Sequence, residues 1–204
     1  MKKKYEFWEK LSLKCVLIGD TGVGKSSLAA RVSNRSFKTD YIPTLFDNFA
    51  ATVTVDNKPY HLSLFDTAGK EDFNKLRVLS YINSDVFLIC FSVNNPESLE
   101  NAETCWVPEL RQYMPDTPFV LVGTQTDIRA KKPNTRDQVV RSSVISAKQA
   151  SEVANRMGAI SYVECSAMTG EGIEDLAGEI ITGARRTWET KCTRKTKCCN
   201  CQIL

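Results

Sequence analysis

Apolar residues in this chain fall into short unbroken runs that alternate with stretches of helical spacing. Leu13 to Ile18 is continuously apolar, as a strand buried on both faces should be. Lys25 to about Val32 follows, with Leu28 and Val32 on one helical face. Phe49, Thr52 and Val55 open a strand pattern that turns at Asp56-Asn57, and Tyr60, Leu62, Leu64 and Phe65 form its partner, an antiparallel hairpin. Val86–Phe91 and Phe119–Val122 are two further apolar strands. Between them, Asn95-Pro96 supplies an N-cap and a proline at the first helical position for a helix to about Tyr113. Ser146-x-x-Gln149 is a capping box that opens a helix to about Met157. Ser161–Cys165 is the last strand, and Ile173, Leu176, Ile180, Ile181, Ala184 and Trp188 stripe a closing helix. Residues 34–45 and 129–144 carry no period and read as loops, the second a polar, basic surface insertion.

This alternation predicts an α/β fold: a mostly parallel, six-stranded sheet with one antiparallel hairpin strand and helices on both faces. Ligands of such sheets sit at the carboxyl ends of the strands. Four loops converge there, after Ile18, Phe65, Val122 and Cys165. The expected organisation is a short extension at 1–12, one domain over 13–184 and a tail over 185–204.

The first of those loops carries the clearest chemistry. Gly19-Asp20-Thr21-Gly22-Val23-Gly24-Lys25-Ser26, followed by Ser27, fits G-x-x-x-x-G-K-[ST]. A buried strand stops, a glycine-rich turn aims backbone N–H groups at phosphate oxygens, and a helix begins with its positive dipole end toward the same anion. Lys25 is expected to reach the outer phosphates and the Ser26 hydroxyl to ligate Mg2+. Asp66, ending the strand beside this loop, offers a carboxylate to the same ion, and Thr44 a hydroxyl that closes over it when the terminal phosphate is present. Gly69 lets its own N–H approach that phosphate. Two loops held by one phosphate and one ion make a switch.

The other two loops select the base. A carboxylate at Asp127, within Thr124-Gln125-Thr126-Asp127, accepts both adjacent N–H donors of guanine, a pair adenine lacks. Ser166-Ala167-Met168 supplies a backbone N–H to the guanine carbonyl. GTP and GDP are therefore the expected nucleotides. A kinase or ATPase reading would leave Asp127 and Ser166-Ala167 without a role.

Composition is ordinary for a globular chain, with 42% hydrophobic and 25% charged residues, but charge is uneven. Residues 185–204 hold six Lys/Arg against one acid, while residues 1–184 hold 21 against 23. Cys15, Cys90, Cys105 and Cys165 lie among apolar residues and read as reduced core thiols. Cys192, Cys198, Cys199 and Cys201 crowd the end; zinc is disfavoured there by their tight spacing and by the lone, distant His61. No apolar run approaches 18 residues, and Lys2–Lys4 precede no h-region, so the cytosolic side is expected. Cys201-Gln202-Ile203-Leu204 fits C-a-a-X with a terminal leucine that favours geranylgeranyl. Arg185, Arg186, Lys191, Arg194, Lys195 and Lys197 supply a second, electrostatic membrane signal, and Cys198 and Cys199, more weakly Cys192, are candidates for palmitoylation. The expected location is the cytoplasmic face of the plasma membrane or endomembranes. Nucleic acid is not an expected partner, because the basic tail lacks interleaved aromatics beyond Trp188.

From Lys14 to about Arg185 the chain resembles the small GTPases of the Rho family, nearest to the Rac and cell-division-control types. The likeness is carried by Tyr41-Ile42-Pro43-Thr44-Leu45-Phe46-Asp47-Asn48, Leu64-Phe65-Asp66-Thr67-Ala68-Gly69, Cys105-Trp106-Val107-Pro108-Glu109 and Tyr162-Val163-Glu164-Cys165-Ser166-Ala167. The resemblance implies the P-loop fold of small GTPases, an insert helix at 129–144, and Phe37 packed on the guanine. It also implies effector contacts over Tyr41, Ile42, Pro43 and the run Thr44 to Phe49, with Rho-type effectors and exchange factors as partners. Actin organisation, polarity and trafficking are the processes it suggests.

Two residues depart from the family. Where relatives place the glutamine that orients the attacking water, this chain has Lys70, whose ammonium donates but cannot accept. Most of the roughly 10⁵-fold acceleration by a GAP arginine finger is therefore expected to be lost. Thr21 stands where Rho and Ras proteins generally have glycine; its side chain crowds the space an arginine finger would occupy, whereas Rab GTPases often carry serine or threonine there and hydrolyse GTP normally. Two versions of the switch follow: one held largely in GTP, the other hydrolysing GTP normally.

Overall fold

The computed structural model describes residues 11–34, 44–130 and 144–199, the side chains of 71, 130 and 189–199 excepted. The expectations placed on Phe37, Tyr41, Ile42, Pro43, residues 131–143, Cys201 and the side chains of Cys192, Cys198 and Cys199 lie outside the described residues.

Six strands form one sheet in the order β2-β3-β1-β4-β5-β6: β1 Ser12–Gly19, β2 Phe46–Val55, β3 Lys58–Thr67, β4 Val86–Ser92, β5 Phe119–Thr124 and β6 Ser161–Glu164. Only β2 runs antiparallel, to β3; the remaining pairs are parallel. The period of two sorts the strands between two cores. Leu13, Cys15 and Leu17 with Val86, Leu88 and Cys90 face one side, where helix α1 (Lys25–Val32) and the long C-terminal helix α6 (Ile173–Cys199) supply Leu28, Val32, Leu176 and Ile180. Val16, Ile18, Phe87, Ile89, Phe119 and Leu121 face the other. That side is covered by α3 (Pro96–Asn101), α4 (Val107–Tyr113) and α5 (Ala147–Met157). Helices on both faces of a mostly parallel sheet are what the hydrophobic pattern predicts.

Local signals act as their chemistry demands. Asp56 and Asn57 take φ of 52° and 59°, the left-handed pair a two-residue hairpin turn requires. The Asn95 side chain accepts from the Glu97 N–H, and Ser146 and Gln149 cap each other reciprocally.

Five features differ from the pattern reading. The helix expected from Asn95 to Tyr113 is interrupted by a π turn over Ala102–Trp106. A short helix, α2 (Asn74–Leu79), follows β3; its Leu76 and Leu79 are exposed, so no buried stripe marks it. Thr52 lies on the exposed face of β2, where it meets the His61 ring, and is no partner of Phe49 and Val55. Cys105 is exposed on the π turn, whereas Cys15, Cys90 and Cys165 are buried thiols. Finally, the boundary at 184 cuts through α6. Arg185 donates to Tyr60 Oη at 2.6 Å, Thr187 Oγ1 to the Asp85 carbonyl at 2.6 Å and Trp188 Nε1 to Asp85 Oδ1 at 2.9 Å. The helix is docked on the domain at least to Trp188.

Candidate functional site

The cleft lies at the carboxyl ends of β1, β3, β5 and β6. At Gly19 the chain leaves β1 so close to β4 that an added Cβ would stand 2.2 Å from the Cys90 carbonyl oxygen. Only glycine fits there. Helix α1 then opens at Gly24 with no side-chain cap and no acid in its first turn, leaving backbone N–H groups for an anion. Lys25 is buried, and its Nζ donates to the carbonyls of Gly19 and Asp20, both at 2.7 Å. Burial lowers its pKa, against the pull of Cys90, Asp66 and Asp20 toward the charged form. An ammonium held by two carbonyls at the lip of this loop is poised to exchange them for phosphate oxygens.

Beside it, the Ser26 and Thr44 hydroxyls meet at 2.9 Å. Asp66, paired across the sheet with Leu17, is fully buried, and among the described residues neither carboxylate oxygen makes a hydrogen bond of good geometry. Burial raises its pKa, although the nearby Ser26 hydroxyl and Lys25 favour the charged form. Two hydroxyls and a buried carboxylate are hard oxygen donors, the set that suits Mg2+. The residues fit the ion expected of them; a bound Mg2+ would neutralise Asp66 and charge on a phosphate together.

Gly69 closes the other side of the phosphate loop. A Cβ there would lie 2.4 Å from Thr21 N, 2.6 Å from the Asp20 carbonyl carbon and 2.6 Å from Gly19 O. The Gly69 backbone therefore rests directly on residues 19–21. Thr21 and Lys70, the two departures, are both exposed.

Behind α1 a cavity of about 260 Å³ is lined by Gly24, Ser27, Leu28, Asp127, Ala167 and Met168, together with Thr124, Gln125, Ile128 and Cys165. Asp127 Oδ1 accepts from Ser166 Oγ at 2.7 Å, which fixes the carboxylate against the 166–168 turn. Thr124 and Gln125 act differently from Asp127. The Thr124 hydroxyl reaches the Val23 carbonyl, and Gln125, at φ 61°, donates from Nε2 to the Gly22 carbonyl at 3.2 Å while its Oε1 accepts from Ser92. They brace the phosphate loop.

This geometry refines two assignments and adds one residue. Asp20 has both carboxylate oxygens engaged, by Trp106 Nε1 at 2.7 Å and Asn101 Nδ2 at 2.8 Å, so its side chain holds the loop in place and any ligand contact falls to its backbone. Phe49 is buried in the core under β2, which removes its ring from the effector surface; Leu45, Phe46, Asp47 and Asn48 are exposed beside it. Arg77 was not legible as a site residue. Its buried guanidinium donates to the carbonyls of Ala68 and Lys70 and to both oxygens of Glu109.

A phosphate loop, a buried metal-type carboxylate and a base cavity with a fixed aspartate share one cleft on this fold. The model of the Ras family matches residues 14–186. The chain belongs to the Ras family. As a Ras-family GTPase domain it is of the class that binds guanine nucleotide, typically with Mg2+, and works as a GTP-operated switch with regulator and effector partners. The match extends through Arg186, past residue 184 and into the docked part of α6.

Proposed function

We propose that this protein is a Rho-type switch that stays largely loaded with GTP because its own hydrolysis is slow and poorly stimulated by GAP proteins. The observation that carries this reading is Lys70. It directly follows Gly69, whose backbone lies on the phosphate loop, and it is a donor without an acceptor. In the proposed site Lys25 and the open first turn of α1 hold the phosphates, Ser26, Thr44 and Asp66 hold Mg2+, and Gly69 N–H meets the terminal phosphate. Asp127, the Ser166–Met168 turn and Phe37 hold the guanine. Lys70 can neutralise a phosphate oxygen, but that interaction stabilises bound GTP as readily as the transition state.

Rho-type identity rests on the stretches 41–48 and 105–109, on Gln125 where other small GTPases usually carry lysine, and on the position of the 129–144 insert. Exposed Leu45, Phe46, Asp47 and Asn48 form part of the proposed effector surface, with exchange factors of the Rho type as further partners. Membrane attachment is proposed through geranylgeranyl on Cys201, supported by the basic tail and by palmitate on Cys198 or Cys199. The cytoplasmic face of the plasma membrane or endomembranes is the proposed location, with actin organisation, polarity or trafficking downstream.

Single-turnover hydrolysis of γ-labelled GTP, with and without a Rho-type GAP domain, tests the reading. Slow hydrolysis unmoved by the GAP, and recovery of GAP stimulation in Lys70→Gln, are expected. Stimulation of the wild type by several orders of magnitude would overturn it.

A further inference from the structure

Two loops of the cleft share a support that lies outside the cleft itself. The phosphate loop is held at Asp20, whose two carboxylate oxygens accept from Trp106 and Asn101. The loop bearing Gly69 is held at its neighbours: Arg77 donates to the Ala68 carbonyl at 2.9 Å and to the Lys70 carbonyl at 3.2 Å. The Arg77 guanidinium in turn stacks over the Trp106 ring, 4.7 Å from its centroid. Trp106 thus carries one loop on its N–H edge and the other on its face. Gly69 closes the circuit, since its backbone lies against residues 19–21.

The π turn over Ala102–Trp106 explains how one carboxylate is reached by two side chains of the same helix. In a regular α-helix, residues five apart such as 101 and 106 are rotated by about 140° and face apart. The wider turn, bonded i to i+5, brings them toward one side. The irregularity is what aims Asn101 and Trp106 together at Asp20.

We propose that Trp106 is a positioning residue that sets the gap between the phosphate loop and Gly69, and so governs how much better the site holds GTP than GDP. A diphosphate uses the phosphate loop alone, whereas the terminal phosphate must be gripped from both sides of that gap. This rests on the reading of the cleft as a guanine-nucleotide site. Loss of the Trp106 N–H releases one of the two carboxylate oxygens of Asp20, leaving Asn101 on the other, and lets the two loops drift relative to one another, weakening the triphosphate grip selectively.

The test is dissociation of fluorescent GDP and of a fluorescent non-hydrolysable GTP analogue, in Mg2+, from the full chain and from Trp106→Phe, which keeps a six-membered ring for Arg77 and loses the donor together with the five-membered part of the buried indole. The GTP analogue is expected to leave about tenfold faster, the weight of one hydrogen bond to a charged group, with a clearly smaller change for GDP. Asn101→Ala, a surface-edge change that removes the second bond to the same carboxylate, should move the ratio in the same direction. Asp20→Ala combined with Trp106→Phe should be no worse than Asp20→Ala alone. Equal acceleration of both nucleotides, or additive effects in the double variant, would reduce Trp106 to a packing residue and overturn the proposal. A wild type that retains neither nucleotide would overturn the reading of the cleft and this inference with it.

Discussion

Arg77 and Glu109 form a two-pronged ion pair, Nε to Oε1 at 2.9 Å and Nη2 to Oε2 at 2.7 Å, with side chains only 3% and 14% exposed. Tyr81 Oη adds a third donor to Glu109 at 2.5 Å. Burial alone would lower the Arg77 pKa, but the Glu109 hydrogen bonds and charge raise it. The guanidinium is thereby fixed where its remaining nitrogen can hold the backbone on either side of Gly69. Glu109→Ala leaves that charge buried without its counterion and should cost about 3–5 kcal/mol of stability, read by urea unfolding. Hydrogen exchange at residues 68–73 should rise in the same variant before the rest of the domain responds.

Gly69→Ala tests the contact between the two loops. Its Cβ would stand within 2.6 Å of backbone atoms of residues 19–21, which cannot rotate aside. The loop must withdraw, so affinity for GTP should fall by at least an order of magnitude while GDP affinity changes little, as equilibrium binding of labelled nucleotides would show.

Asp66 is a fully buried carboxylate whose oxygens lack hydrogen bonds of good geometry among the described residues. Without metal it costs stability, and Asp66→Asn removes the buried charge. Nucleotide-free, metal-free protein should therefore melt higher in this variant, by about 2–4 °C for each kcal/mol recovered. Added Mg2+ should raise the wild-type Tm in the presence of GDP and leave the variant unmoved. A parallel rise in both would contradict the assignment of Asp66 to the ion.

A pH dependence follows from Glu164. Burial would raise its carboxyl, but hydrogen bonds from Arg129 and Tyr162 outweigh burial and hold it below the ordinary glutamate range. A folded pKa below the unfolded one contributes stability that is complete above the unfolded value and is lost as pH falls through the folded value. Unfolding free energy should decline on acidification below about pH 4.5. Glu164→Gln, compared with wild type across that window, should show a shallower decline and a lower plateau at neutral pH.

What the sequence made legible was local. Gly19–Ser26 is contiguous, so its turn chemistry reads directly, and the caps at Asn95 and Ser146 lie within three residues of their partners. The convergence of Asp66, Thr44 and Ser26 was also legible, because parallel β1 and β3 deliver their loops to one edge. Asp20 with Trp106 was not. They are 86 positions apart, and their meeting depends on a π turn that leaves no trace in apolar spacing. Arg77 was hidden for a related reason: α2 turns its leucines outward and buries its arginine, the reverse of an ordinary amphipathic helix. Gln125 looked like a base contact because it adjoins Asp127, yet its left-handed backbone turns it to the phosphate loop.

Helix α6 is docked on the domain at least to Trp188, and its backbone continues to Cys199, about 16 Å further at the rise of an α-helix. Residues 185–188 are clamped at the amino-terminal edge of the sheet: to Asp85 just before β4 and to Tyr60 near the start of β3. The nucleotide cleft lies at the opposite edge. A rod clamped at one end keeps its bearing, so a lipid-bearing tail at the far end would act as a mast rather than a leash. With the membrane attachment proposed above, it would hold the domain off the bilayer and turn the cleft away from it.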